Sequence, residues 1–248
     1  MSETPTTWVV AARNLPEHAD NPIHTDPGAH AAGFPSALVA GVTTYVYLTR
    51  PLVAAWGVDW LARGGGEVRF RAPVFADAEV RCVPTGDGPD DADSVLVEAV
   101  CADQERNPRA TFSAVRDSGP PPGLRAGEPL PSRRFTLGDE FAADYAERAG
   151  DDLSIYRDRQ IVHPVTWLQI ANRVFSTDLV DGSWIHTRSI VRHHAVGPLG
   201  ATVDVHATVA QRFERGGTRA VVDLLIERDG QPIATLEHEA IVDLTTAD

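Results

Sequence analysis

Apolar and polar positions run through the same order twice along this chain. Thr7 to Ala12 alternates between the two and predicts a strand. A loop through Asn21-Pro22 follows, and Asp26 before Pro27 reads as a helix cap with proline in the first turn. A second helix starts near Gly41 and runs through VTTYVYLT until Pro51 ends or kinks it. After the Gly64-Gly65-Gly66 turn come four strand-like runs: Glu67 to Ala72, Ala78 to Val83, Ser94 to Ala102 and Arg109 to Val115. The second pass has helical stretches at Leu137 to Ala149 and Pro164 to Val174. Its strands are Trp184 to His193, Ala201 to Arg212, Thr218 to Arg228 and Pro232 to Leu244, the last two joined by an Asp229-Gly230 hairpin turn.

Helices followed by four strands, given twice, predict an α+β protein with helices packed on antiparallel sheet. Between the passes, 117–133 reads DSGPPPGLRAGEPLPSR, a Pro/Gly linker without apolar periodicity. The reading is therefore two halves, 1–116 and 134–248, forming a duplicated unit. Packed edge to edge, the second half would take the place of a symmetry mate, so a monomeric pseudo-dimer or a homodimer is expected.

Composition adds exclusions. The 248 residues are 43% hydrophobic and 23% charged, enough for a sizeable core. With 22 basic residues against 35 acidic, the net charge of −13 disfavours nucleic acid and anionic membrane as partners. Every basic residue is Arg, and without Lys there is no Schiff-base, pyridoxal-phosphate or phosphate-loop chemistry. Two cysteines, Cys82 and Cys101, suit buried thiols in a reducing cytoplasm. The longest apolar region, Ala37 to Trp60, is broken by Arg50, Pro51 and Asp59, so no transmembrane helix is expected. Met1 to Val10 does not read as a signal peptide, and a cytoplasmic location is the expectation. His193 and His194 point to opposite strand faces, and His186, His206 and His238 lack ligand spacing, so neither metal nor cofactor is assigned.

The candidate chemistry lies in DNPIHTDPGAHAAGFPSALVAGVTTYVYL, from Asp20 onward. With Asn21-Pro22-Ile23-His24, Asp26, Ala32-Gly33-Phe34 and Gly41, and with Val68-Arg69-Phe70-Arg71-Ala72-Pro73-Val74 downstream, this segment resembles the MaoC-like hydratase/dehydratase family. The resemblance covers residues 7–116. It implies a hot-dog fold, here a double hot-dog of two antiparallel sheets joined edge to edge around central helices. It also implies reversible water addition to a 2-enoyl thioester of coenzyme A or an acyl carrier protein. His24 and a carboxylate would hold the water and exchange protons. Backbone N–H groups at a helix start would stabilise the enolate-like oxygen.

The family acid falls at Ala19 in this chain, so Asp20 becomes the candidate partner of His24. Gly41, Asn21 and Tyr45 complete the candidate site, as oxyanion donor, loop or substrate contact, and tunnel wall. The second half lays Asp151 on the acid position and Tyr156 on the histidine position, and reads as a degenerate copy with His163 at its helix start. Gln169 on that helix can position water but exchanges no proton at neutral pH. The alternatives are a thioesterase or related conjugate-addition enzyme on the same fold, and a non-catalytic acyl-thioester-binding or subunit-stabilising protein.

Overall fold

The structure, a computed structural model, describes residues 4–85, 93–102 and 107–243. Among the described residues, eleven strands lie in one sheet. In chain order they are β1 (Trp8–Ala11), β2 (Gly65–Phe70), β3 (Glu79–Thr85), β4 (Ser94–Cys101), β5 (Ala110–Val115), β6 (Glu128–Pro129), β7 (Arg133–Thr136), β8 (Ile185–His193), β9 (Thr202–Glu214), β10 (Thr218–Arg228) and β11 (Gln231–Asp243). The helices are α1 (Asp26–Ala31), α2 (Gly41–Arg63), α3 (Ala143–Ala149), α4 (Ile155–Arg159) and α5 (Thr166–Asp178). Leu244, the expected end of the last strand, lies outside the described residues.

The strand order is β1-β3-β4-β5-β2-β8-β11-β10-β9-β6, with β7 also on β9, and every pairing is antiparallel. Reading outward from the centre, β2-β5-β4-β3-β1 on one side mirrors β8-β11-β10-β9-β7 on the other. The two sheets are joined edge to edge into one continuous sheet. The seam is β2 on β8, running from Gly65 opposite Arg192 to Arg69 opposite Arg188. Arg188 crosses it, bonding Glu67 on β2 and Glu237 on β11.

The sheet wraps α2, which is buried nearly all round: Val42, Tyr45, Val46, Tyr47, Leu48 and Leu52 have no exposed surface. A helix with no polar face can only sit inside a core. Pro51 lies within this helix, and the backbone break comes six residues later at Gly57 (φ 60°, ψ −148°). Proline removes one hydrogen bond, whereas the left-handed turn that redirects the chain is open to glycine. α5 is amphipathic, with Trp167, Leu168, Ala171 and Phe175 buried and Gln169, Asn172, Arg173 and Ser176 along the other side.

Two further expectations change. Thr25, not Asp26, caps α1, accepting from Gly28 N–H at 3.3 Å, while Asp26 accepts from Ala37 N–H at 2.8 Å. The 117–133 segment carries β6 and the first residue of β7, and so adds edge pairing to β9. Arg125 of that segment is held by Asp223 and Glu237. The Asp229-Gly230 turn has positive φ at both residues (53° and 73°), the geometry of a tight hairpin. Cys82 and Cys101 are both buried, and neither is in a disulfide. No helix among the described residues is long and apolar enough to cross a membrane.

Candidate active site

Two one-turn 3-10 helices, Pro16–His18 and Pro22–His24, build the motif loop. Each is a Pro-x-His triplet. Proline fixes the first residue's φ, and the turn delivers its histidine at the end. The two rings meet edge to face, with centroids 5.9 Å apart.

His24 is half-buried, and its Nδ1–H donates to the Leu38 carbonyl at 2.8 Å. A carbonyl can only accept, so this bond places the proton of the neutral ring on Nδ1 and leaves a lone pair on Nε2. Burial lowers the pKa of His24, opposed by the bond to Leu38, and no carboxylate contributes. The ring is therefore a free base at neutral pH.

Asn21 is a clamp. Its Nδ2–H donates to the Trp184 carbonyl at 2.9 Å, and its Oδ1 accepts from Ile23 N–H and Trp184 N–H, both at 3.4 Å. It ties the motif loop of the first half to the segment just before β8 in the second. Asp20 is exposed in the turn before it, and makes no hydrogen bond or ion pair among the described residues. Gly41 is the first residue of α2, where helix N–H groups lack intrahelical partners. A Cβ there would sit 3.3 Å from His186 Nδ1 and 3.4 Å from the Phe70 ring. Tyr45 lines neither cavity described below. It is fully buried against Phe112, and its hydroxyl has no partner.

Two cavities meet at His24. One, of about 440 Å³, is polar, and its walls include His18, Asp20, Tyr145, Arg148, Gln169 and Arg173. The other, of about 340 Å³, is largely apolar, with Phe34, Leu38, Val39, Gly41, Phe70 and His186. Asn21, His24, Asn172 and Trp184 line both. Both volumes lie in the range that holds small ligands.

His18 is a member of the site that reading the sequence did not find. Its Nε2 lies 3.0 Å from the Tyr145 hydroxyl and 3.3 Å from Thr43 Oγ1, and those two hydroxyls are 3.0 Å apart. Burial and the neighbouring His24 lower its pKa to about 4, so it too is neutral. The signal was present: Pro16-Glu17-His18 repeats Pro22-Ile23-His24 six residues earlier. Asn172 and Trp184 come from the second half and carry no motif. The Gln169 and Asn172 side-chain oxygens are buried without a protein partner, so α5 turns two amides toward the polar cavity.

The second half holds a different constellation. Asp151 Oδ2 accepts from the Tyr156 hydroxyl at 3.2 Å and from His163 Nε2–H at 3.3 Å, while Val165 N–H donates to His163 Nδ1 at 2.9 Å. All three side chains are buried, and none lines a cavity beside His24. Asp151 thus serves its own half and does not reach His24.

No protein-family model matches the sequence, and no curated protein matches it. Solved structures do. A MaoC-like dehydratase superposes with a TM-score of 0.63 at 15% identity, covering 97% of this chain and 98% of the other. Rv0216 of Mycobacterium tuberculosis, described as having a double hot-dog fold, gives 0.60 at 10% identity, covering 96% of each chain. A Lactobacillus plantarum protein provisionally described as an oleoyl thioesterase gives 0.56 at 10%, covering 97% of each. The chain is therefore a double hot-dog protein, similar across nearly its full length to MaoC-like dehydratases and, less closely, to the protein provisionally described as a thioesterase. At these identities the likeness establishes the fold.

Proposed function

We propose that this protein acts on an acyl thioester, interconverting a 3-hydroxyacyl thioester and its 2-enoyl product. The observation that carries the reading is the tautomer-locked, neutral His24 at the meeting point of a polar and an apolar cavity, beside the N-terminus of α2. In the dehydrating direction His24 Nε2 takes the α-proton, and the carbonyl oxygen gains charge beside Gly41, where unpaired helix N–H groups stabilise it. The carbon–carbon double bond then forms as the β-hydroxyl leaves, protonated by His24 Nε2–H and released as water. Hydration reverses each transfer. A single base can serve both steps, which suits a chain with Ala19 at the family's acid position.

The apolar cavity would take the acyl group and the polar one the carrier arm, on coenzyme A or an acyl carrier protein. Asp20, at the polar side, would exchange protons with solvent. Asn21 would position the loop, and Tyr45 would take no part.

A second reading, thioester hydrolysis, draws on the likeness to the L. plantarum protein and on His24 having no carboxylate partner among the described residues. One experiment separates them. The protein is given a panel of 2-enoyl thioesters, following loss of the conjugated absorbance and release of free thiol. Loss of conjugation without thiol, abolished in His24→Ala, is the expected result. Thiol release at the same rate supports hydrolysis, and neither signal above the variant's removes both.

A further inference from the structure

The apolar cavity has a second histidine on its wall, and the fold goes to some length to aim it there. On β8, Arg188 pairs with Glu239 but His186 pairs with Ala240, so Thr187 is an extra residue. This bulge breaks the two-residue alternation and puts His186 on the same inward side as Ser189 and Val191. His186 is 8% exposed, and Ser189 and His238 are fully buried.

The three form a chain. His186 Nε2 and His238 Nδ1 each lie 2.8 Å from the Ser189 hydroxyl, and the two rings are tilted by 33° with centroids 4.0 Å apart. The far nitrogens, His186 Nδ1 and His238 Nε2, have no partner. Buried polar groups normally find partners, so an unpaired nitrogen on a cavity wall invites a ligand. His186 Nδ1 faces Gly41. Whatever oxygen is drawn to the α2 N-terminus on the cavity side therefore arrives beside that nitrogen.

We propose that His186 is a further substrate-binding residue: its Nδ1–H donates to the thioester carbonyl oxygen alongside the N–H groups of α2, and Ser189 with His238 sets the required tautomer. This inference rests on the acyl-thioester reading. The serine hydroxyl has one proton and can donate to one ring only, so the other ring must donate to it. When the His238 Nδ1–H donates to Ser189 and Ser189 donates to His186 Nε2, the proton of His186 stands on Nδ1. Desolvation keeps both rings uncharged, lowering His186 to about 3. His186 then acts as a neutral electrophile and gives up no proton. Ser189 and His238 are positioning residues, since they act through His186.

The test pairs turnover with a direct view of the tautomer. Kinetics on the enoyl-thioester panel compare the unaltered protein with His186→Phe, His186→Gln, Ser189→Ala and His24→Ala. His186→Phe is expected to lower kcat about 10²–10³-fold with little change in KM, the loss usual for one oxyanion donor. His186→Gln, which keeps an N–H, is expected to recover part of it. In ¹⁵N-histidine spectra of the complex with a saturated acyl-CoA, His186 is expected to be protonated at Nδ1, and at Nε2 in Ser189→Ala. Normal kcat in a folded His186→Phe, or an Nε2–H tautomer in the unaltered complex, overturns the inference alone. No turnover and no acyl-CoA binding by the unaltered protein overturns the functional reading and this inference with it.

Discussion

His24 has the features of a working base because of two ordinary contacts. The Leu38 carbonyl fixes its proton on Nδ1, and partial burial disfavours the imidazolium. The proposed chemistry needs the base form in the free protein, and the pKa lies below the usual 6.5. Activity should therefore be level through neutral pH and fall only on the acid side of 6.5. A profile of kcat/KM against pH checks this, since it reports the ionisations of the free enzyme. His18, neutral above about 4, adds no limb in that range. A half-maximal point at or above pH 6.5 would mean that a carboxylate supports His24 after all.

How this loop holds its shape is a matter of elements. α1 presses on the turn before it so closely that a Cβ on Gly28 would lie 2.0 Å from the Pro22 carbonyl oxygen. Gly28→Ala should push α1 off the Pro22–His24 turn and loosen the Leu38 bond to His24. The expected effect is a fall in kcat with a stability loss of about 1–3 kcal/mol, within the usual span for a point change, read by thermal unfolding and by turnover. The same elements show what the sequence could and could not reveal. The local motif was legible, and Asn21, His24 and Gly41 do line one place, because they are joined by short, proline-fixed turns. The strands were legible from their alternation, and β10 begins and ends at the expected residues. Gly57 and the Thr187 bulge were not, because a backbone break and an extra strand residue leave no periodic signature. Tyr45 was expected on a tunnel wall, but it lies on the buried side of α2 and its ring packs into core against Phe112. Asn172, Trp184 and His186 reach the site only through the joining of the halves.

That joining governs the behaviour of the molecule in bulk. Arg188 is 17% exposed and stands between Glu67 and Glu237 across the β2–β8 seam. Arg188→Ala would leave two carboxylates facing one another and should cost about 1–3 kcal/mol, less than for a fully buried pair because water reaches the site. Denaturant unfolding measures it. Acid should also unfold the protein early. Burial lowers His186 to about 3 and His193 to about 4. The unfolded chain takes up these protons as pH falls through 6.5, while the folded chain refuses them until near 3–4. Stability is thus full above 6.5 and declines below it, by about 1.4 kcal/mol per pH unit for each of the two. Melting temperatures from pH 7 to pH 4 should show the decline, and replacing His193 by an apolar residue should make it shallower.

The most direct measurement is hydrogen exchange at the α-carbon. A saturated 3-hydroxyacyl thioester is incubated with the protein in deuterated water, and its mass is followed together with any enoyl product. If Nε2 of His24 abstracts the α-proton, deuterium enters the substrate pool at that carbon with the unaltered protein and not with His24→Ala. Equal incorporation by the two proteins, or none by either while product still forms, would contradict the assignment of that nitrogen as the base.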